Sequence, residues 1–143
     1  MKTSKGTTRV SKYTPRGYAL SVRRALAGKG LFAGEDIPKG ICVIEYTGNV
    51  LMGRDAEGKG GKYLFEVSAR KTIDGNVRSN SARYINHSCR PNCEAIVRRG
   101  RVFIFSRARI NAGTELVYDY GKEYFDAFIK PNGCRCEKHR MGS

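Results

Sequence analysis

The run "ARYINHSCRPNC", residues 82–93, decides how this chain is read. The sequence holds two histidines and five cysteines, and one histidine and two cysteines fall inside these twelve residues. Asn86 and Asn92 accompany them, and Pro91 breaks any regular helix there. Three arrangements fit such a cluster: a metal site, a nucleophilic Cys–His pair, or a turn packed for structural reasons.

Composition narrows the setting without choosing. A chain of 143 residues, 40% hydrophobic and 28% charged, suits one globular domain with a true core. No apolar run approaches the roughly 18 residues that span a bilayer, so no membrane association is expected. The opening "MKTSKGTTRVSKYTPRGYAL" has no continuous apolar stretch of the secretory kind. Formal net charge is +14, and Lys2, Lys5, Arg9, Lys12, Arg16, Arg23, Arg24 and Lys29 all precede the first acidic residue, Glu35. Such a segment attracts polyanions, nucleic acid first among them, although a solvated basic tail is the plain rival. An odd number of cysteines without a secretion signal points to an intracellular protein with free or metal-bound thiols.

Outward from the cluster, short β-rich runs are punctuated by Gly, Asn and Pro. Residues 18–22, 41–46, 63–67, 95–97, 101–106 and 115–118 read as strands. "IVRRGRVFIF" reads as a hairpin turning at residues 98–100. A short helix is expected near "KEYFDAF", ending before Pro131, and "MGRDAEGKGGKY" reads as a Gly-rich mobile loop. The fold class is therefore mostly β, with chemistry where loops converge.

Four further motifs bear on that chemistry. In "AGKGLFA", residues 27–33, glycines flank Lys29 and allow close backbone approach to a ligand, though plain turns look the same. The run "ICVIEYTGNVL" ends a buried strand at Tyr46, which alone reads as a core residue with its hydroxyl at the edge. In "ELVYDYG", Tyr118 and Tyr120 are two apart and share a strand face, as a structural pair or as paired phenols in an apolar channel. In "GCRCEKHR", Cys134, Cys136 and His139 offer three zinc-type ligands, with Cys89 or Cys93 available as a fourth.

Taken in order, "GKGLFA", "EYTGNVL", "YLFEV", "RYINHSCRPNC", "ELVYDYG" and a Cys-containing tail resemble the SET-domain protein-lysine methyltransferases over residues 17–140. The resemblance implies a fold of several small sheets with short helices and a knot-like active-site junction, where "INHSC" runs beside the segment ending at Tyr120. It divides the chain into a basic tail (1–16), a SET domain (17–121) and a post-SET segment (122–143). It implies that Lys29 and Leu31 meet S-adenosylmethionine through their backbone. Tyr63 would line that cofactor, Asn86 and His87 hydrogen-bond it, and Arg83 brace the pocket. Tyr46, Tyr118 and Tyr120 would wall the channel that admits a lysine, with Tyr120 carrying the essential hydroxyl. Zinc would join Cys89 to Cys134, Cys136 and His139, where His139 stands in for the family's usual last cysteine, leaving Cys93 a buried thiol.

Family members carry Tyr or Phe at the position of Tyr118, and Tyr resembles the mono-methylating pattern. The implied partner is a histone or another basic, DNA-associated protein, in the nucleus on chromatin or, in a microbe, in the cytoplasm or nucleoid. The basic N-terminus would add non-specific DNA contact. A non-catalytic basic module that binds nucleic acid and uses zinc to fold is the alternative. A Cys89–His87 hydrolase is the poorer third, because the pair lies two apart without an orienting acid.

Overall fold

The computed structural model describes residues 11–25, 28–53 and 63–121. In chain order its strands are β1 (Leu20–Ala25), β2 (Gly28–Ala33), β3 (Cys42–Tyr46), β4 (Asn49–Met52) and β5 (Leu64–Ser68). They continue as β6 (Lys71–Asp74), β7 (Asn86–His87), β8 (Cys93–Arg98), β9 (Arg101–Ser106) and β10 (Val117–Tyr118). Among the described residues these strands form four small sheets: β1-β2, β3-β9-β8, β4-β6-β5 and β10-β7. The expected mostly-β fold of several small sheets is thus what the chain adopts. A 3-10 turn, Ser81–Tyr84, lies among the described residues, and the helix expected near "KEYFDAF" lies outside them.

Strand β9 is the spine. It pairs antiparallel with β3 and β8, and its successive side chains alternate between two apolar clusters. Val102 and Ile104 face the main core with Leu31, Ile37, Ile85 and Leu116, while Phe103 and Phe105 face a smaller cluster with Cys42. Burial on both faces explains why "RVFIF" is nearly continuous apolar sequence rather than an alternating one. The β8–β9 turn is the expected hairpin: Arg98 pairs with Arg101 across Arg99 (φ 53°) and Gly100 (φ 76°), both left-handed as a type I′ turn requires. Lys71 Nζ donates to the Gly100 carbonyl at 2.7 Å and ties that turn to β6.

Two expectations change. Residues 11–16, assigned to a basic tail, are part of the fold. The Tyr13 ring packs on Phe103 and Phe105 at 5.4 and 5.6 Å, and the Arg16 amide donates to the Cys42 carbonyl at 3.2 Å. An aromatic side chain that covers a second apolar cluster outweighs the local charge. Residues 28–33 are a strand rather than a plain turn, because β2 pairs along its whole length with β1, from Leu20↔Ala33 to Ala25↔Gly28.

Close backbone approach positions the edge of the site. The β4–β6 ladder pairs Asn49 with Asp74, and a Cβ on Gly48 would fall 2.7 Å from the Asp74 carbonyl carbon, so glycine is required there. Buried Asn80 then ties the 3-10 turn in place. Its Oδ1 accepts the Thr47 amide at 3.1 Å, and its Nδ2 donates to the Gly75 carbonyl at 3.0 Å.

Candidate active site

The segment "INHSC" and the segment "ELVYDYG" meet as a two-residue parallel pair, with Val117 opposite Asn86 and Tyr118 opposite His87. The Ser88 amide extends the pairing by donating to the Tyr118 carbonyl at 3.1 Å. So short a ladder needs further support, and Asn92 supplies it. Its Oδ1 accepts the Val117 amide and its Nδ2 donates to the Glu115 carbonyl, both at 2.9 Å, so one side chain stands in for a missing strand. Sequence reasoning gave Asn92 no role. Its signal would have been a carboxamide just after Pro91, where the chain turns and no regular ladder can serve the neighbouring backbone.

His87 lies in this junction with its side chain 5% exposed. Its Nδ1 accepts the Tyr120 amide at 3.1 Å, which assigns the ring proton to Nε2, and Nε2 faces Cys89 Sγ at 3.3 Å. His87 therefore donates to the sulfur and cannot take a proton from it. Asp119 comes within 3.8 Å of Nδ1, so an acid is nearby after all. The ring edge it would orient already accepts a backbone N–H, however, and the Cys89–His87 hydrolase fails on tautomer rather than on a missing acid.

The phenols gather on the inner side. The Tyr118 and Tyr120 rings lie 4.8 Å apart, as the shared strand face implied, and Tyr120 meets the His87 ring edge-on at 5.4 Å. Tyr120 donates its hydroxyl to the Ile85 carbonyl. Tyr46, only 4% exposed, donates to the Tyr63 carbonyl at 2.6 Å, and that carbonyl also accepts the Gly75 amide at 2.7 Å. Tyr46 and Tyr118 belong to one buried cluster, with Tyr120 packed against it. Both anchored hydroxyl protons are committed to backbone, so toward an incoming amine each oxygen acts as an acceptor.

On the other side, Lys29, Leu31 and Ala33 alternate along β2 and turn their polar backbone groups toward one edge. There the Lys29 carbonyl accepts Asn86 Nδ2 at 3.0 Å, the Leu31 carbonyl accepts the Leu116 amide at 2.8 Å, and Ala33 N donates to Thr114 O at 2.9 Å. Leu31 keeps its side chain in the core. Tyr84, which sequence reading passed over, organises the rest. The Arg83 guanidinium lies 4.7 Å from its ring and 5.7 Å from the Tyr63 ring, donates to the Tyr84 hydroxyl at 2.7 Å, and Lys29 Nζ lies 5.7 Å from the same ring. Lys29, Tyr63, Arg83 and Asn86 thus form one connected neighbourhood.

Of the four expected zinc ligands, Cys89 is described, and Cys134, Cys136 and His139 lie outside the described residues. Among the described residues no group of three or more His, Cys, Asp or Glu side chains could hold a metal. Cys93 is buried, as expected of a structural thiol, and burial pushes it up to about 12. Within the described residues no helix is long and apolar enough to cross a membrane.

The model of the SET domain matches residues 28–121. The trithorax histone-lysine N-methyltransferase of Drosophila virilis is 36% identical over 146 residues, covering 92% of this chain and 4% of the relative. Human histone-lysine N-methyltransferase 2D is 37% identical over 73% of the chain and 2% of its own length. Histone-lysine N-methyltransferase ASHH1 of Arabidopsis thaliana is 37% identical over 68% of the chain and 23% of its own length. The chain spans a small part of each of these relatives, and the residues matched by the family model contain both halves of the β7–β10 junction. It belongs to the SET-domain family.

Proposed function

We propose that this domain transfers a methyl group from S-adenosylmethionine to the ε-amino group of a lysine in a protein substrate, a histone or another basic, DNA-associated protein. The observation that carries this reading is the convergence of Asn86, His87, Tyr118 and Tyr120 at the β7–β10 pair, with the Lys29–Tyr63–Arg83 neighbourhood beside it. The residues fit the cofactor: among the described residues the buried Arg83 Nε has no hydrogen-bond partner, and Asn86 Oδ1 accepts no hydrogen bond. Asn86 and His87, the Lys29 and Leu31 backbone and the Tyr63 ring would hold it, with Arg83 bracing the pocket. S-adenosylmethionine supplies an electrophilic methyl group on a positively charged sulfur.

The remaining chemistry is the chain's own. A free lysine has a pKa of about 10.4, so presenting it neutral near pH 7.4 costs roughly 4 kcal/mol. Desolvation between Tyr46, Tyr118 and Tyr120 disfavours the ammonium and reduces that cost. The Tyr120 and Tyr46 oxygens accept the amine N–H groups and leave the nitrogen lone pair aimed along the channel, so catalysis is chiefly alignment. The Tyr118 hydroxyl holds a water in the space that extra methyl groups would need, which favours the monomethyl product.

Cys89, with Cys134, Cys136 and His139, would bind zinc and close one end of the channel, and the His87 Nε2–H donated to Cys89 suits a thiolate. Zinc content that is unchanged by His139→Ala would remove His139 from the set. Chromatin is the natural location of such a substrate, and the basic N-terminal residues would add DNA contact. Activity on nucleoprotein should then exceed activity on a free peptide and fall with salt.

The direct test incubates the protein with labelled S-adenosylmethionine and a panel of histones and other basic proteins. Wild type is expected to label lysine, and Tyr120→Phe to lower the rate about 100-fold while staying folded, with a loss of about 1–2 kcal/mol because the Ile85 carbonyl loses its donor. Absence of cofactor uptake by folded wild type in calorimetry overturns the reading.

A further inference from the structure

The Glu115 side chain has no part in the roles above, yet its carboxylate points into the junction. Its backbone bridges Phe32 of β2, and Oε2 accepts Asn86 Nδ2 at 2.8 Å. That same Nδ2 donates to the Lys29 carbonyl at 3.0 Å. A primary amide has two N–H groups, so both are spent, and Oδ1 is the face that Asn86 can offer a ligand. Gly30 makes the arrangement possible. A Cβ there would lie 2.5 Å from Glu115 Oε2 and 3.1 Å from Cδ, so the second glycine of "GKG" is the space that the carboxylate fills. Burial raises the Glu115 pKa, and the Asn86 hydrogen bond works against that rise.

We infer that Glu115 is a positioning residue, whose carboxylate locks the Asn86 amide with its oxygen outward and so makes this edge of the cofactor site select a cationic donor, the α-ammonium of the cofactor's amino-acid end. The inference rests on the S-adenosylmethionine reading. Two properties of the site act together. Oδ1 can only accept, which suits an ammonium and repels a carboxylate, and the negative charge behind the amide favours a cation in front of it. Without Glu115 the Lys29 carbonyl alone holds the amide N–H, so a half-turn that presents N–H to the ligand is opposed by one hydrogen bond instead of two, and the two ends are nearly isosteric.

The test is titration calorimetry with S-adenosylhomocysteine and with its analogue lacking the α-amino group, alongside thermal melting of each ligand-free variant. Glu115→Ala is expected to weaken S-adenosylhomocysteine about tenfold and the deaminated analogue less than about twofold. Glu115→Gln still accepts through Oε1 and is expected to lose only about threefold. Gly30→Ala pushes aside the flexible carboxylate and crowds the Ala25 Cβ at 3.0 Å, so a small shift between β1 and β2 accompanies it, and its melting is read beside that of Glu115→Ala. It should reproduce the Glu115→Ala loss, and the Gly30→Ala/Glu115→Ala double variant should bind no more weakly than Glu115→Ala alone. Equal weakening of both ligands by Glu115→Ala, wild-type affinity in that variant, or additive losses in the double variant each overturn the proposal. If wild type binds neither ligand, the cofactor reading itself falls and takes this one with it.

Discussion

Replacing Asn92 by alanine removes two hydrogen bonds at once, from the Val117 amide and to the Glu115 carbonyl, both 2.9 Å long. Each such bond is worth about 1 kcal/mol net, and a half-buried backbone group left without a partner adds up to about 1 kcal/mol more. The expected loss is therefore about 2–4 kcal/mol, a large share of the roughly 5–15 kcal/mol that keeps a domain folded. Asn92→Asp sharpens the test because it is nearly isosteric. It keeps an acceptor for Val117 N but sets a second acceptor against the Glu115 carbonyl, so it should be no more stable than the alanine variant near neutral pH. The chain has no tryptophan, so urea unfolding is best followed by far-ultraviolet circular dichroism or tyrosine fluorescence. With a slope of about 2 kcal/mol per molar, the midpoint should fall by about 1–2 M. Both variants unfolding within about 0.5 kcal/mol of wild type would mean that water replaces Asn92 and that the parallel pair stands without it.

Three other outcomes follow from geometry already given. In Gly75→Ala the new Cβ would lie 2.6 Å from Cε1 and Cζ of the buried Tyr46 ring, so overpacking should cost about 1–3 kcal/mol and the displaced hydroxyl should lower kcat about tenfold, read by melting and steady-state kinetics. Tyr118→Phe should shift the product from monomethyl toward dimethyl- and trimethyl-lysine by mass spectrometry, and wild type that already gives mostly trimethyl-lysine refutes the role of that hydroxyl. Burial pushes the Cys42 and Cys93 thiols from 9.0 up to about 11 and about 12. Raised folded-state values contribute stability that is complete below pH 9 and lost as pH climbs through 11 and 12. Native protein at about pH 8 should therefore resist alkylation at both positions until it unfolds, as intact-mass analysis after iodoacetamide would read.

Legibility in the sequence tracked how local each cause was. The span 101–106 coincides with β9, and the Arg99–Gly100 turn could be read directly, because burial and turn chemistry are written in adjacent residues. β1 begins two residues later than expected and runs on to Ala25, since its pairing with β2 sets its length rather than its own composition. β4 and β6, "NVLM" and "KTID", were missed because four residues of mixed polarity carry no clear period, and they become strands only by pairing, β4 with β6 and β6 with β5. Family likeness supplied Asn86, His87 and the tyrosines. Glu115, Asn92 and Tyr84 needed coordinates, because each acts on a segment some 20 or more residues away or through a neighbour whose orientation the sequence does not reveal.

The parallel pair at the centre is only two residues long on each side, and thirty-one positions of chain separate Asn86 from Val117. Neither segment has enough local structure to hold its shape alone, so the centre is a clasp that closes when distant parts of the chain dock. On the proposed function, a partly folded form is inactive rather than merely slow. The Ser88 amide, held by Tyr118, should therefore exchange its hydrogen with solvent only through openings that also abolish turnover.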